Sequence, residues 1–477
     1  MPVVLWTDVP VWLLVAITLG YFAYVRRHEH LAAPWRRVAR SAPGMVALVV
    51  LLAFAAVGLV DSLHFRPALD GKDQKGGTVY AVEVLSLLDV AVMPLKTRTE
   101  RTYSAPLAIR SFSKETTELA GGGIVREFPR LRFGGAHLKD EADHGRDVAL
   151  TALQGVVLGA FAWGLAVWFA TAALARRRRV AAGAMWTSIR RRRTDVPWLA
   201  IYLSVLALAC IAFPVALLAG KYHVLGTDKV GQDVLYLSLK SIRTGLVIGT
   251  LTTLVTLPFA VLLGIMAGYF KGWIDDAIQY LYTTINSIPG VLLIAAAVLI
   301  MQVYIDKNPE LFPTAAQRAD FRLLLLCAIL GATTWTGLAR LLRGESLKLR
   351  ELEYIQAAHA LGVRHGRVIT RHILPNVMHI VLIALVMDFS GLVLAEAVLS
   401  YVGVGVDPSM NSFGTMINAA RLEMARDPMV WWTLAAAFAF MFVLVLAANL
   451  FADAVRDAFD PRVRVGRAPA PQAGALG

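Results

Sequence analysis

Eight stretches without one charged side chain, each long enough to cross a bilayer as a helix, decide which solvent this chain folds in. They run at Val9–Val25, Ser41–Val60, Val148–Ala175, Val196–Gly220, Thr244–Phe270, Ala277–Ile305, Leu323–Ala339 and Met429–Ala452. A helix needs about 20 apolar residues to cross the hydrocarbon, with a range of roughly 17–25. A ninth stretch, Asn376–Tyr401, is as apolar but carries Asp388 and Glu396. Charged residues make up 17% of the chain and apolar ones 57%. A soluble domain averages about 25% charged and could not hide this much apolar surface from water. The expectation is an all-helical integral membrane protein with nine spans.

The positions of the basic residues give the orientation. Net charge is +13. Arg176–Arg179 and Arg190–Arg193 set eight arginines against Asp195 in one connector, and Arg26–Arg40 adds five basic residues against Glu29. Short loops rich in Lys and Arg stay in the cytoplasm. Threading from them places the N-terminus outside, the segment Asp61–Asp147 outside, the loop Gly344–Arg371 inside and the C-terminus inside. Asp61–Asp147 balances thirteen basic with thirteen acidic residues, which suits the outer side. The arginine runs flank spans and lack interleaved aromatics, so the charge reads as topology and not as a nucleic-acid surface. Met1–Thr7 carries no positive side chain and Asp8 precedes the first apolar run, which is not the pattern of a signal peptide. Cys210 and Cys327 lie inside apolar stretches and read as small buried hydrophobes.

Only Asp61–Asp147 has soluble-domain character. Thr78–Leu85, Tyr103–Phe112 and Gly123–Phe133 are rich in β-branched and aromatic residues, so a small β-rich extracytoplasmic insert is expected. Gly121–Gly123 and Gly134–Gly135 read as turns, because neither set opens a helix with phosphate-loop spacing. No G-x-x-x-x-G-K-[ST] occurs, so this chain has no P-loop for a nucleoside triphosphate.

The loop after the seventh span is the most informative. Glu351 and Glu353 suit the first turn of a helix, and Gly362 suits the left-handed position that ends one. A second short helix should follow and stop at Pro375. Ala357, Ala358 and Ala360 keep the first helix thin, so another protein could approach its backbone closely.

These residues resemble a known family. Gln356-Ala-Ala-x3-Gly362-x9-His372-Ile-Leu374-Pro375 resembles the EAA loop of ABC-importer permeases, with Gln356 for the usual Glu and His372 for the usual Ile. Tyr354-Ile-Gln-Ala-Ala-His-Ala-Leu-Gly362 is similar to the dipeptide, oligopeptide and nickel branch. So is the segment from His223 through Gly226, Thr227, Asp228, Gly231 and Asp233, and so are Leu394–Gly403 and the ending Val455–Arg462. The resemblance covers 196–464, with the coupling loop at 344–376. It leaves two extra spans in 1–60, the insert 61–147, a third extra span with its arginine connector in 148–195, and a flexible tail at 465–477. It implies a permease subunit that moves di- or oligopeptides across the inner membrane of a bacterium. It further implies a second permease as heterodimer partner, two cytoplasmic ATPase subunits holding ATP and Mg, and an extracytoplasmic binding protein. Coupling would fall to Tyr354, Gln356, Ala357, Ala358, Gly362, Leu374 and Pro375, and no catalytic residue is implied.

Asp388 and Glu396 lie in a span, where an acid is costly unless it faces protein or water. Eight residues apart, they sit about 80° apart around an ideal helix and could border one cavity or one partner helix. An ion- or proton-coupled secondary transporter using both acids is the alternative reading, although no repeat in matching halves supports it. Asp228 and Asp233 flank Gly231 in a pattern that fits a turn and N-cap better than a metal loop. His359, His365, His372 and His379, spaced by six or seven, read as surface or interface histidines and not as a zinc pair.

Overall fold

The computed structural model describes residues 1–72, 78–118, 124–312 and 314–459. Gly121–Gly123, the end of the tail motif from Asp460, and 465–477 lie outside the described residues. Among the described residues nine helical elements are long and apolar enough to cross a membrane. The first three of them are α1 (Asp8–Val25), α3 (Ala42–Asp61) and α6 (His144–Arg178), with the short α2 (Glu29–Val38), α4 (Leu87–Ala91) and α5 (Met93–Thr97) between them. The arginine connector folds into α7 (Ala182–Arg190), followed by α8 (Trp198–Ala219) and the long α9 (Val234–Phe270).

The sixth apolar stretch departs from expectation. Ala277–Ile305 is not one helix but parts of α10 (Trp273–Ser287) and α11 (Gly290–Lys307). Pro289 is the cause: its ring disfavours the helical conformation of the preceding residue, and Ile288 is extended at φ −92° and ψ 131°. Then come α12 (Ala315–Thr334) and α13 (Thr336–Arg350), which form one membrane-length element, α14 (Glu353–Ala360), α15 (His365–Val368), α16 (Leu374–Val402), α17 (Phe413–Glu423) and α18 (Trp432–Phe459).

Helix α9 is the axis of the fold. It packs against α3, α12, α13 and α16, and its outer half is buried from Val234 through Gly245 with few gaps. Close approach is made where side chains vanish. A Cβ on Gly264 would lie 2.7 Å from the Ala339 carbonyl and one on Gly268 2.5 Å from the Arg343 carbonyl, so α9 and α13 touch backbone to backbone. Gly155 and Gly159 do the same between α6 and α8 against Pro214 and Ala209. Pro258 interrupts the hydrogen-bond ladder of α9 between its outer and inner halves.

The outer segment holds less sheet than its composition suggests. His64–Phe65 pairs antiparallel with Pro2–Val3 on one side and Leu85–Ser86 on the other, and two small hairpins join Ala68–Lys72 to Thr78–Tyr80 and Glu115–Glu118 to Ile124–Glu127. Tyr103–Phe112 is not a strand. Its backbone donors go elsewhere: Ser104 N donates to Thr227 Oγ1 at 2.7 Å and Leu107 N to His223 O at 2.9 Å.

Two buried polar clusters bind this segment and α1 to the transmembrane core. Arg243 of α9 donates to Thr7 Oγ1 at 2.7 Å and Asp8 Oδ1 at 2.8 Å, and lies 3.5 Å from Asp320 of α12. His64 Nδ1 sits 2.9 Å from the other oxygen of Asp8. Beside it, Lys240 Nζ lies 2.6 Å from Asp61 and 3.3 Å from Asp89, while Tyr236 donates to Asp89 at 2.9 Å. Buried charges persist when each has a partner, and these do.

Candidate functional site

Helix α14 ends as its sequence requires. Gly362 lies at φ +73°, Gly362 N donates to His359 O at 2.9 Å, and Val363 N donates to Ala358 O at 3.0 Å. This pair of bonds is the glycine-terminated helix stop known as the Schellman motif. A Cβ on Gly362 would meet nothing within 4 Å, so only the backbone conformation demands glycine there.

The helix has two faces. Ile355 is fully buried and Ala358 half-buried, in an apolar cluster with Tyr269, Leu342, Val368 and Ile373. Tyr354, Gln356, Ala357 and Leu361 point away, and Leu361 is 84% exposed. The small-residue stripe is therefore split: Ala358 packs inward and Ala357 outward. Leu374 is half-buried in the same cluster.

Two histidines read as surface residues are brought together here. The Tyr269 hydroxyl at the end of α9 lies 2.9 Å from His359 Nε2 and 2.9 Å from His365 Nδ1, and its ring stacks on His359 with centroids 5.6 Å apart. Arg350 donates to Tyr269 O at 2.7 Å, and Lys271 pairs with Glu351 at 2.7 Å. No local signal announces this hub, since the partners are joined only by the fold. His372 lies 6.0 Å from the ring of Tyr354, and His379 lines the cavity described below.

Pro375 does not stop the second segment. His365–Val368, a π-helical turn at Ile369–Ile373 and α16 run on as one membrane-length helix. The widened turn precedes the proline at the first positions of α16, where its missing N–H matters least, and Asn376 Nδ2 donates to His372 O at 2.6 Å.

A cavity of about 1030 Å³ opens between α9, α13 and α16. Thr253, Thr256, Leu341, Asp388 and Arg456 are among its lining residues. Asp388 has no hydrogen-bond or ion-pair partner among the described residues. Glu396 is not in this cavity. It is 1% exposed and accepts from Ser400 Oγ at 2.6 Å and Ser412 Oγ at 2.9 Å. The reading of two acids on one cavity fails on direction: Ala395, one residue before Glu396, lines the cavity, whereas Glu396 is turned about 80° from Asp388 around the helix and meets Ser400 and Ser412 instead. Glu396 is paired within the chain, which also removes the paired-acid basis of the ion-coupled alternative.

On the opposite side of the membrane the motif before α9 forms a latch. Gly226 and Gly231 are left-handed at φ +75° and +77°, and a Cβ on Gly231 would lie 1.9 Å from the Glu100 carbonyl. Asp228 accepts from Val230 N and Gln232 N at 2.9 and 2.8 Å, and Asp233 caps α9 by accepting from Leu235 N at 2.8 Å. Both carboxylates thus serve the backbone. Thr227 O accepts from Trp432 Nε1 at 2.9 Å. His223 sits between Asp233, at 2.8 Å, and Glu100 of the outer segment, at 3.4 Å. Burial opposes an imidazolium there, but the two carboxylates outweigh it and raise His223 to about 9. Burial likewise opposes the Glu100 carboxylate, and is outweighed by His223 and by the backbone N–H groups of Phe133, Arg132 and Gly134, which hold it at about 2. Glu100 was not legible as a site residue, because its partner lies in the core motif.

Comparison with known proteins covers the second half of the chain. Residues 260–465 match the family of binding-protein-dependent transport system inner membrane components. The oligopeptide transport system permease protein of Mycobacterium tuberculosis is 30% identical over 245 residues, 51% of this chain and 78% of that protein. The glutathione transport system permease protein of Pectobacterium atrosepticum is 32% identical over 242 residues, 51% of this chain and 73% of the relative. The dipeptide transport system permease protein of Alkalihalophilus pseudofirmus is likewise 32% identical over 242 residues, with the same shares of 51% and 73%.

Proposed function

Because this chain belongs to the binding-protein-dependent transport system inner membrane component family, as a permease subunit of an ABC importer, we propose that its cargo is short peptides and that α14 is where an ATPase subunit docks. The names of the relatives, for oligopeptide, dipeptide and glutathione systems, support the cargo. The observation that carries the docking is the two-faced α14: Ile355 and the Tyr269 hub fix its inner side to α9 and α15, leaving Tyr354, Gln356, Ala357 and Leu361 as a thin ledge with one large apolar side chain. Gly362 sets the direction in which the chain leaves that ledge, and Leu374 and Pro375 carry it into α16. Movement of the ledge reaches α9 through Tyr269 and α16 directly, which suits a switch between two arrangements of the spans.

The complete importer has a second permease subunit, two ATPase subunits that bring ATP and Mg, and an extracytoplasmic binding protein. This chain brings no P-loop of its own. It sits in the cytoplasmic membrane with its N-terminus and insert outside and its α14 loop and C-terminus inside, as the arginine-rich connectors favour. Asp388, without a partner among the described residues, faces the route of the cargo and suits a peptide ammonium group; Arg456 suits its carboxylate.

The test is reconstitution of the whole importer in vesicles. Ala357→Trp or Leu361→Asp should abolish peptide uptake together with the ATP hydrolysis stimulated by loaded binding protein, with the permease still inserted. Parental rates of both in these variants would overturn the docking surface.

A further inference from the structure

Two runs of arginine bracket α7, outside the stretch that the transport family matches. Arg176–Arg179 closes α6 and Arg190–Arg193 leaves α7. The segment between them is not a slack loop. Met185 and Ile189 are buried against Val167, Ala175 and Tyr202, so α7 is held across the ends of α6 and α8. Each run also contains one residue in the left-handed region, Arg179 at φ +55° and Arg192 at φ +53°, a conformation unfavourable for a residue with a Cβ. These turns keep both arginine runs close to the two ends of α7.

All eight side chains are exposed, and among the described residues none of their guanidinium groups has a partner. The acid of the connector, Asp195, is 3.5 Å from Arg40 of the neighbouring connector. A fixed helix therefore concentrates eight like charges that no described residue neutralises, whereas a slack loop would let them spread apart. The helices that carry them indicate what does. Leu153, Phe161, Trp168 and Phe169 of α6 and Ile211 of α8 face outward, Phe161 at 66% exposure, so acyl chains cover these helices and end beneath the arginines. A ligand with an anionic head on an apolar tail matches both surfaces.

We propose that the arginine runs flanking α7 form a binding site for the headgroups of anionic phospholipids in the adjacent leaflet. Clustered arginines beside a membrane helix attract such lipids through the surface potential, and the attraction weakens with salt. The phosphodiester of a headgroup with no compensating cation is the recognised group, and the membrane-embedded lipid is its source.

The experiment uses the whole importer in nanodiscs of phosphatidylcholine with or without phosphatidylglycerol, released into native mass spectrometry to count retained lipids. The parent should retain phosphatidylglycerol over phosphatidylcholine, and less of it at high salt. Replacing all eight arginines with Gln should lower that retention roughly tenfold, and replacing them with Lys should keep most of it. Should the Gln variant fail to assemble, Arg176–Arg179 and Arg190–Arg193 are replaced separately, each with a partial loss expected. Equal retention of the two lipids by the parent, or unchanged retention in the folded Gln variants, overturns the site. So does displacement of the lipid by millimolar inorganic phosphate or by an RNA oligonucleotide.

Discussion

Glu100 Oε1 of the outer segment lies 3.4 Å from His223 Nε2 in the loop before α9, and the other ring nitrogen lies 2.8 Å from Asp233. Both partners lie outside the family match at 260–465, and the segment carrying Glu100 completes the charge balance of the loop before α9. The pH dependence follows. His223 is raised from 6.5 to about 9, so its stabilisation is complete below pH 6.5 and fades as pH rises through 9. Glu100 is lowered from 4.5 to about 2, so its share is complete above pH 4.5 and is lost only as pH falls through 2. Thermal stability in detergent should therefore fall between pH 6.5 and 9, with a change on the order of 3 kcal/mol. In His223→Gln that slope should vanish. A parental protein with flat stability over this window would contradict the latch.

Arg243 neutralises Asp8 and Asp320 in a buried cluster at the ends of α1, α9 and α12. Arg243→Leu leaves Asp320 without a cationic partner and Asp8 with His64 alone, and should cost about 3–5 kcal/mol. Adding Asp8→Asn and Asp320→Asn should restore part of that loss. Detergent melting curves of the single and triple variants measure both steps.

Glu396 accepts from Ser400 and Ser412, whereas Asp388 accepts from no described residue. Glu396→Leu should destabilise by about 1–3 kcal/mol, because two buried hydroxyls lose their acceptor. Asp388→Asn should leave the melting temperature unchanged and raise the KM of peptide uptake, as expected of a group that meets cargo. Equal thermal effects from the two substitutions would remove the distinction.

Tyr269→Phe keeps the ring and deletes the hydroxyl shared by His359 and His365. Uptake in reconstituted vesicles should fall several-fold, with the ATPase subunits still co-purifying, since α14 keeps Ile355 as its anchor. Parental uptake would mean that the hub transmits nothing.

Sidedness is checked by labelling. Val82 is 78% exposed in the outer segment and Thr187 is exposed on α7. A cysteine at Val82 should react with an impermeant thiol reagent added outside intact cells, and one at Thr187 only after lysis.

The membrane helices were legible because length and absence of charge suffice for them. The helix stop at Gly362 was legible for a similar reason, since one residue type answers one backbone conformation. Pro289 was visible, but the apolar run around it carried the reading past the break. Pro375 misled the other way: a π-helical turn absorbed it, and such a turn leaves no mark on residue spacing. Tyr103–Phe112 has strand composition, yet its donors are claimed by the loop before α9, from more than a hundred residues away. The same distance hid Asp8, which read only as the residue before an apolar run, until the fold set it beside Arg243. Asp388 and Glu396 stood out as acids within a span, but the turn of about 80° between them around the helix sets one on the cavity and the other against Ser412.

The interruption at Pro258 acquires a mechanical meaning from where α9 is held. Above it, Lys240 and Arg243 are clamped to the outer segment and α1; below it, Tyr269 is tied to the loop of α14. One end of the helix is anchored, and if the ledge takes a stroke as proposed, the other is driven, with Pro258 between them. A stroke applied there would then be converted into bending of the inner half, with the outer half as the frame against which it bends.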